Sequence, residues 1–145
     1  MDNNELIIRE SIRDTIARYN HAGDRGQYPE MVACFHADGA LHIVDGDTHI
    51  GRTAMLAFFS SVAGSTRTPN NLTLLRHCVT NTLIEVTSTM SATANSYFQV
   101  LTNNGLDHWG RYRDAFGRDA QSGRWLIHHR SVKTDAYAPD SLFNQ

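Results

Sequence analysis

The chain has 145 residues, 41% hydrophobic and 19% charged, with a formal net charge of −2 from 13 Lys+Arg against 15 Asp+Glu. That is the size and composition of one folded domain, 1–145, with a real core, which excludes a disordered chain; the near-neutral balance offers no basic patch for nucleic acid. No run approaches the roughly 20 apolar residues that cross a bilayer, and the acidic start MDNNELIIRE lacks the basic and apolar regions of a signal peptide, so no membrane partner and a cytoplasmic location are expected.

In chain order, Ile8, Ile12, Ile16 and Tyr19 recur at helical spacing and predict an amphipathic helix over 5–22. It stops at GDRG, residues 23–26, where glycines punctuate the chain. A second short helix fits YPEMVACFH, with Pro29 in its first turn. A strand follows at 40–44, closed by a turn at Asp45-Gly46 that leads to a short strand at 48–50. GRTAMLAFFSSV, 51–62, is a third helix with Met55, Phe58, Phe59 and Val62 on one side, and a loop containing Pro69 comes next. Four strand-like runs then follow near 72–86, 90–102, 107–117 and 124–134, separated by turn-prone residues such as Asn103-Asn104-Gly105 and Ser122-Gly123. Helices first and a meander second is an α+β pattern, with three N-terminal helices packed across a curved, antiparallel to mixed sheet. A strongly bent sheet with helices across its open side makes a cone around an apolar pocket. The sheet's outer face, carrying Leu74, Cys78, Phe98 and Val100 by alternation, would then want a second copy of the chain to cover it.

The two cysteines, Cys34 and Cys78, have no CxxC or metal spacing and read as two buried thiols. The eight histidines are scattered without HxH or HExxH, so no metal is expected. No Gly-rich phosphate loop calls for a nucleotide, and no cofactor is expected. One histidine stands out. In LTLLRHCVTNTLIEV, residues 72–86, His77 shares its parity with Leu75, Val79 and Leu83 and so points to the core. It is a satisfied core histidine, or a base if a carboxylate orients it by holding one ring nitrogen. Asp24 sits in a turn where Asp commonly bonds local backbone N–H groups. Tyr19 lies on the apolar stripe of the first helix. Simple alternation puts Arg130 opposite Trp125 and Ile127, outside the cone; a bulge at His128-His129 would bring it inside. Arg111, Arg113 and Asp114 read as cross-strand charge pairs. His36, His42, His49, His108, His128 and His129 default to surface or interface positions. Met55, Phe58, Phe59, Tyr97, Trp109 and Tyr112 are candidates to line a pocket.

Several pieces in this order, IARYNHAGDRGQYPEMVACFHADGAL, HIGRTAMLAFF, RHCVTN, SYFQV, GRYRDAF and GRWLIHHRSV, resemble the SnoaL-like polyketide-cyclase group of the nuclear-transport-factor-2-like superfamily. The resemblance covers nearly the whole chain and implies the cystatin-like α+β barrel. It is nearest in site pattern to the branch of scytalone dehydratase, bile-acid 7α-dehydratase and hexachlorocyclohexane dehydrochlorinase. In that branch an Asp after the first helix pairs with a His on the strand after the third; those positions are Asp24 and His77. A Tyr five residues earlier and an Arg on the last strand match Tyr19 and Arg130. There are departures: Leu41 stands where the dehydrochlorinase has Trp, no second His lies near Tyr97 and Phe98, and Asn95, Ser96 and Tyr97 offer no acid. The resemblance thus implies a cofactor-independent lyase or isomerase, dehydratase-like, in which His77 takes a proton and Asp24 orients it. Tyr19 and Arg130 would polarise the oxygen or the leaving group. The substrate would be a small, largely apolar cyclic molecule such as a steroid, terpenoid, polyketide or aromatic, and the assembly a homodimer or homotrimer. Two rivals are a non-catalytic small-molecule-binding or scaffold protein and an epoxide hydrolase; the latter needs an Asp-Arg-Asp set that cannot be assembled around Asp24.

Overall fold

The structure, a computed structural model, describes residues 1–66 and 74–144. The Pro69 loop and the first two residues of the expected 72–86 strand lie outside the described residues. Helix α1 spans Asn3–Asp24, α2 Tyr28–Val32 and α3 Arg52–Thr66; strands are β1 Phe35–Ile43, β2 Thr48–Ile50, β3 Leu75–Val86, β4 Ser91–Thr102, β5 Gly105–Arg118 and β6 Trp125–Tyr137. They form one six-stranded sheet in the order β2-β1-β6-β5-β4-β3, in which β1 and β6 run parallel and the other neighbours antiparallel. This is the expected mixed α+β fold, with the helices packed against a curved sheet.

Asp2 caps α1 by accepting from the Glu5 backbone N–H at 2.8 Å. Ile8, Ile12, Ile16 and Tyr19 are all buried, as their spacing requires. The helix ends where Gly26 takes φ 71°, a left-handed conformation that glycine adopts without steric cost. Helix α2 is shorter than expected and β1 longer. Phe35 pairs with Ile127 and is fully buried, so the sheet takes over the segment that looked helical. The β1 register is irregular between Phe35 and Ala40, which is why its first half shows no alternation.

Bulges decide which side chains face inward. In β3, Thr80 pairs with Tyr97 and Leu83 with Asn95, so Asn81 and Thr82 together oppose one residue; Asn81 has φ 54°. Parity flips there. His77 and Val79 face inward before the bulge and Ile84 after it, which corrects Leu83: it is 62% exposed. In β6, Ala115 pairs with His129 and Phe116 with Ile127, leaving His128 as the extra residue. That bulge turns Arg130 inward, to full burial.

The outer-face assignment of Phe98 and Val100 is also corrected. Both are buried and pack with Tyr112 in a second core cluster, because it is the even-numbered residues of β4 that face the helices. Cys34 is buried, but Cys78 is exposed, so only one of the two thiols is a core residue. The register stacks the inner face in rows. His77, Val100, His108 and Tyr137 form one row; Val79, Phe98, Gly110 and Thr134 come next; Ser96, Tyr112 and Val132 follow, and then Ala94, Asp114, Arg130 and Leu41.

Candidate active site

The end of α1 delivers Asp24 to β3. Its carboxylate accepts from the His77 backbone N–H at 3.0 and 3.2 Å, and Oδ1 lies 2.5 Å from the His77 ring Nδ1. These bonds bridge 53 residues, so the carboxylate serves the strand and not its own turn. A carboxylate on Nδ1 holds the proton there and leaves Nε2 as the basic nitrogen, while the backbone bond fixes how the two elements sit. The side chains are 22% and 11% exposed, so the pair stands at the mouth of the fold, reachable from solvent. A groove of about 420 Å³ between α1 and β3 reaches His77 and is also lined by Ile16, Asn20, Val79 and Thr82. Asn20 donates to the Ile16 carbonyl, and its buried Oδ1 has no partner among the described residues.

Deeper in, the Arg130 guanidinium grips Asp114 with two bonds, Nε to Oδ1 at 2.8 Å and Nη2 to Oδ2 at 2.7 Å, both side chains fully buried. Tyr19 and Tyr112 cover it, their ring centroids 4.4 and 4.0 Å from the guanidinium carbon. Burial works against the Arg130 charge, but Asp114 outweighs it and holds the group firmly protonated. Burial pushes the Tyr19 hydroxyl up to about 12 against the opposing pull of Arg130, and burial raises Tyr112 further. The third guanidinium nitrogen, Nη1, is buried with no partner among the described residues. Tyr19 and Asp24 lie five residues apart on α1, about 7.5 Å along its axis, so one helix carries a side chain of each centre.

The other expected lining residues divide. Met55 is fully buried in the main core, while Phe59 is half-buried, 6.2 Å edge-on from Tyr19, and Phe58 is half-buried, stacked on His49 at 4.2 Å. Tyr112 is buried under Arg130 and stacks on Phe98 at 4.7 Å. Tyr97 and Trp109 are corrected as pocket residues. Tyr97 pairs with Thr80 and Arg111 on the outer face, is 52% exposed, and borders an outer groove of about 660 Å³. Trp109 pairs with Gln99, opposite in parity to the inward His108 and Gly110.

Asp114 is the residue whose role sequence reasoning missed. It does form a cross-strand pair, but inside. Its parity with Tyr112 and Phe116, an acid on an apolar stripe, was the available signal. Arg111 pairs with Asp135 on the surface at 3.0 Å. His108 is also not the surface residue expected: its side chain is 12% exposed, and its Nδ1 lies 2.7 Å from Asp107, which is buried. His36 and His128 stack in parallel at 3.6 Å, with the His36 Nε2 3.1 Å from the Gly117 carbonyl oxygen. Among the described residues, no group of three or more His, Cys, Asp or Glu is placed to hold a metal ion, and no helix is long and apolar enough to cross a membrane.

Residues 4–131 match the model of the SnoaL-like domain family. Solved structures share the fold. LinA superposes with a TM-score of 0.80 at 20% identity, over 94% of this chain and 91% of that one. A candidate scytalone dehydratase from Novosphingobium aromaticivorans gives 0.81 at 17% identity, over 95% and 91%. A protein from Catenulispora acidiphila, solved in complex with S-DNPA, gives 0.77 at 28% identity, over 90% and 95%. No curated protein matches the chain.

Proposed function

The chain belongs to the SnoaL-like domain family, and from that premise we propose that it is a cofactor-independent lyase or isomerase, dehydratase-like, in which the Asp24–His77 pair removes a proton from a carbon acid. The observation that carries the reading is the Asp24 carboxylate, which takes both the Nδ1 and the backbone N–H of His77. That carboxylate fixes the tautomer and would compensate the charge the ring acquires on taking a proton. His77 Nε2 takes the proton as the C–H electrons move into the new double bond. In an elimination they expel the leaving group; in an isomerisation the proton returns at another carbon. Asp24 stays ionised and stabilises the imidazolium. The buried Arg130 Nη1, without a partner among the described residues, supports a role for Arg130 and Tyr19 in polarising an oxygen or a departing group.

The substrate of this reading is a small, largely apolar ring compound with a carbonyl or leaving group beside an acidic C–H. The S-DNPA complex of the Catenulispora acidiphila relative supports a small-molecule ligand. The protein would act in the cytoplasm, as a dimer or trimer; with Phe98 and Val100 inside, the exposed Leu83, Tyr97 and Leu106 supply the apolar part of that interface. The test is a series of bicyclic β-hydroxy and β-halo ketones followed by NMR with wild type and His77→Gln. Wild type eliminates water or halide, and the variant does so about 10²-fold or more slowly with its fold intact. Equal turnover by the variant, or none by a wild type that binds the ketones, contradicts the reading; the second result favours a binding protein.

A further inference from the structure

Two acid–imidazole pairs occupy the inner face, and the reaction above uses one. The register links them. His77 pairs with Val100 and Val100 with His108, so both imidazoles stand in one row on the same face of the sheet. Two strand spacings separate their backbones, about 10 Å. Asp107 beside His108 is unusually well fixed. Its Oδ1 accepts from the Ser141 hydroxyl at 2.7 Å and its Oδ2 from the Leu142 backbone N–H at 2.7 Å, both from the segment that follows β6. Burial alone would raise the Asp107 carboxyl, but these donors and His108 outweigh it and hold it below the usual carboxylate range. The His108 ring is walled by Phe98, Tyr137 and Phe143, with centroids at 6.1, 5.5 and 4.9 Å. Burial lowers His108 despite the opposing pull of Asp107, and the His77 imidazole pushes the same way as burial. His108 is therefore neutral at physiological pH. Its Nδ1 proton goes to Asp107, and its Nε2, with no partner among the described residues, is left as an acceptor.

We propose that His108, positioned by Asp107, is a second polar anchor of the site and accepts a hydrogen bond from a hydroxyl or N–H on the ring substrate, away from the C–H that meets His77. The proposal rests on His77 as the base and extends it to the substrate class: a ring compound with a donor at one end and an acidic C–H at the other. An apolar wall would hold a ring but would not choose between a hydroxylated ring and its deoxy analogue, whereas an acceptor held among aromatic rings, with no partner among the described residues, does, because the deoxy compound brings it no donor.

The probes are 6-hydroxy-1-tetralone and 1-tetralone, with binding read by calorimetry and by the ring nitrogen signals of His108. Wild type binds the hydroxy compound about tenfold more tightly, and its addition moves the His108 Nε2 signal. In His108→Phe the preference collapses to within about twofold while 1-tetralone still binds. Ser141→Ala, which loosens Asp107 and leaves the ring in place, narrows it. His77→Gln keeps it, so failure of the base and failure of the anchor read differently. A preference that survives in His108→Phe, an equal affinity of wild type for the two compounds, or a His108 Nε2 signal unmoved by the hydroxy compound overturns the proposal.

Discussion

The Arg130–Asp114 pair and the Asp24–His77 pair both set a side-chain nitrogen against a carboxylate, yet they are built for opposite ends. The first is fully buried, doubly bonded and closed over by two tyrosine rings. The second stands at the mouth with 22% and 11% of its side chains exposed, and one of its bonds runs to the backbone. A charge locked in place away from water organises the core and sets a fixed field for whatever is brought against it. An imidazole that faces solvent beside a carboxylate can take up and release a proton. Burial and the identity of the nitrogen partner therefore separate the two centres more clearly than their distances do.

The comparison breaks most visibly at the deep pair. Asp114→Ala strands a buried guanidinium and is expected to cost about 3–5 kcal/mol, read as a lower urea midpoint with an unchanged slope. A loss under about 1 kcal/mol would mean that water reaches Arg130 and that the centres are not distinct. At the mouth the balance reverses. Asp24→Asn and His77→Gln are expected to shift stability by no more than about 1.5 kcal/mol while proton removal falls by about 10²–10⁴. The tyrosine lid gives an alkaline signature. Tyr19 titrates near 10 when unfolded and is pushed up to about 12 when folded, so the unfolded chain loses its proton first. Stability is whole below pH 10 and falls by up to about 3 kcal/mol as the pH climbs through 12, and Tyr19→Phe removes that part of the slope in alkaline melts. The acid side is gentler. His108 is held below its usual 6.5, so the unfolded chain binds the proton first and stability declines as the pH falls below that value. His108→Phe flattens the decline, and a melt series between pH 7 and 5 measures it. The smallest effect belongs to the β3 bulge. Asn81 holds φ 54°, so Asn81→Gly should leave stability within about 1 kcal/mol and the inward parity of Ile84 unchanged in amide-exchange protection.

The helices and the meander were legible because Ile8, Ile12, Ile16 and Tyr19 keep one period and turn residues separate the strands. The positions of Asp24 and His77 were legible through a resemblance and through parity, since His77 precedes the bulge. Where reading failed, a bulge or a register change intervened. Leu83 follows the extra residue at Asn81, and the side of Arg130, which alternation left open, turns on one extra residue at His128, the place where a bulge was expected to bring it inside; neither bulge carries a glycine or proline to announce it. Phe98 and Tyr97 were exchanged because β4 is apolar on both parities in that stretch, so alternation alone does not choose a face. The Asp107–His108 pair was invisible because its lock is the Ser141-Leu142 segment, more than 30 residues away.

The central claim is that His77, oriented by Asp24, takes a proton from carbon. The most direct measurement is exchange of the α C–H of 1-tetralone with D2O, followed by proton NMR with wild type, His77→Gln and Asp24→Asn. The account predicts exchange well above the buffer rate in wild type, a return to the buffer rate in His77→Gln, and a loss of about 10²-fold in Asp24→Asn. Exchange at the buffer rate by a wild type saturated with the ketone, or undiminished exchange by His77→Gln, would contradict it.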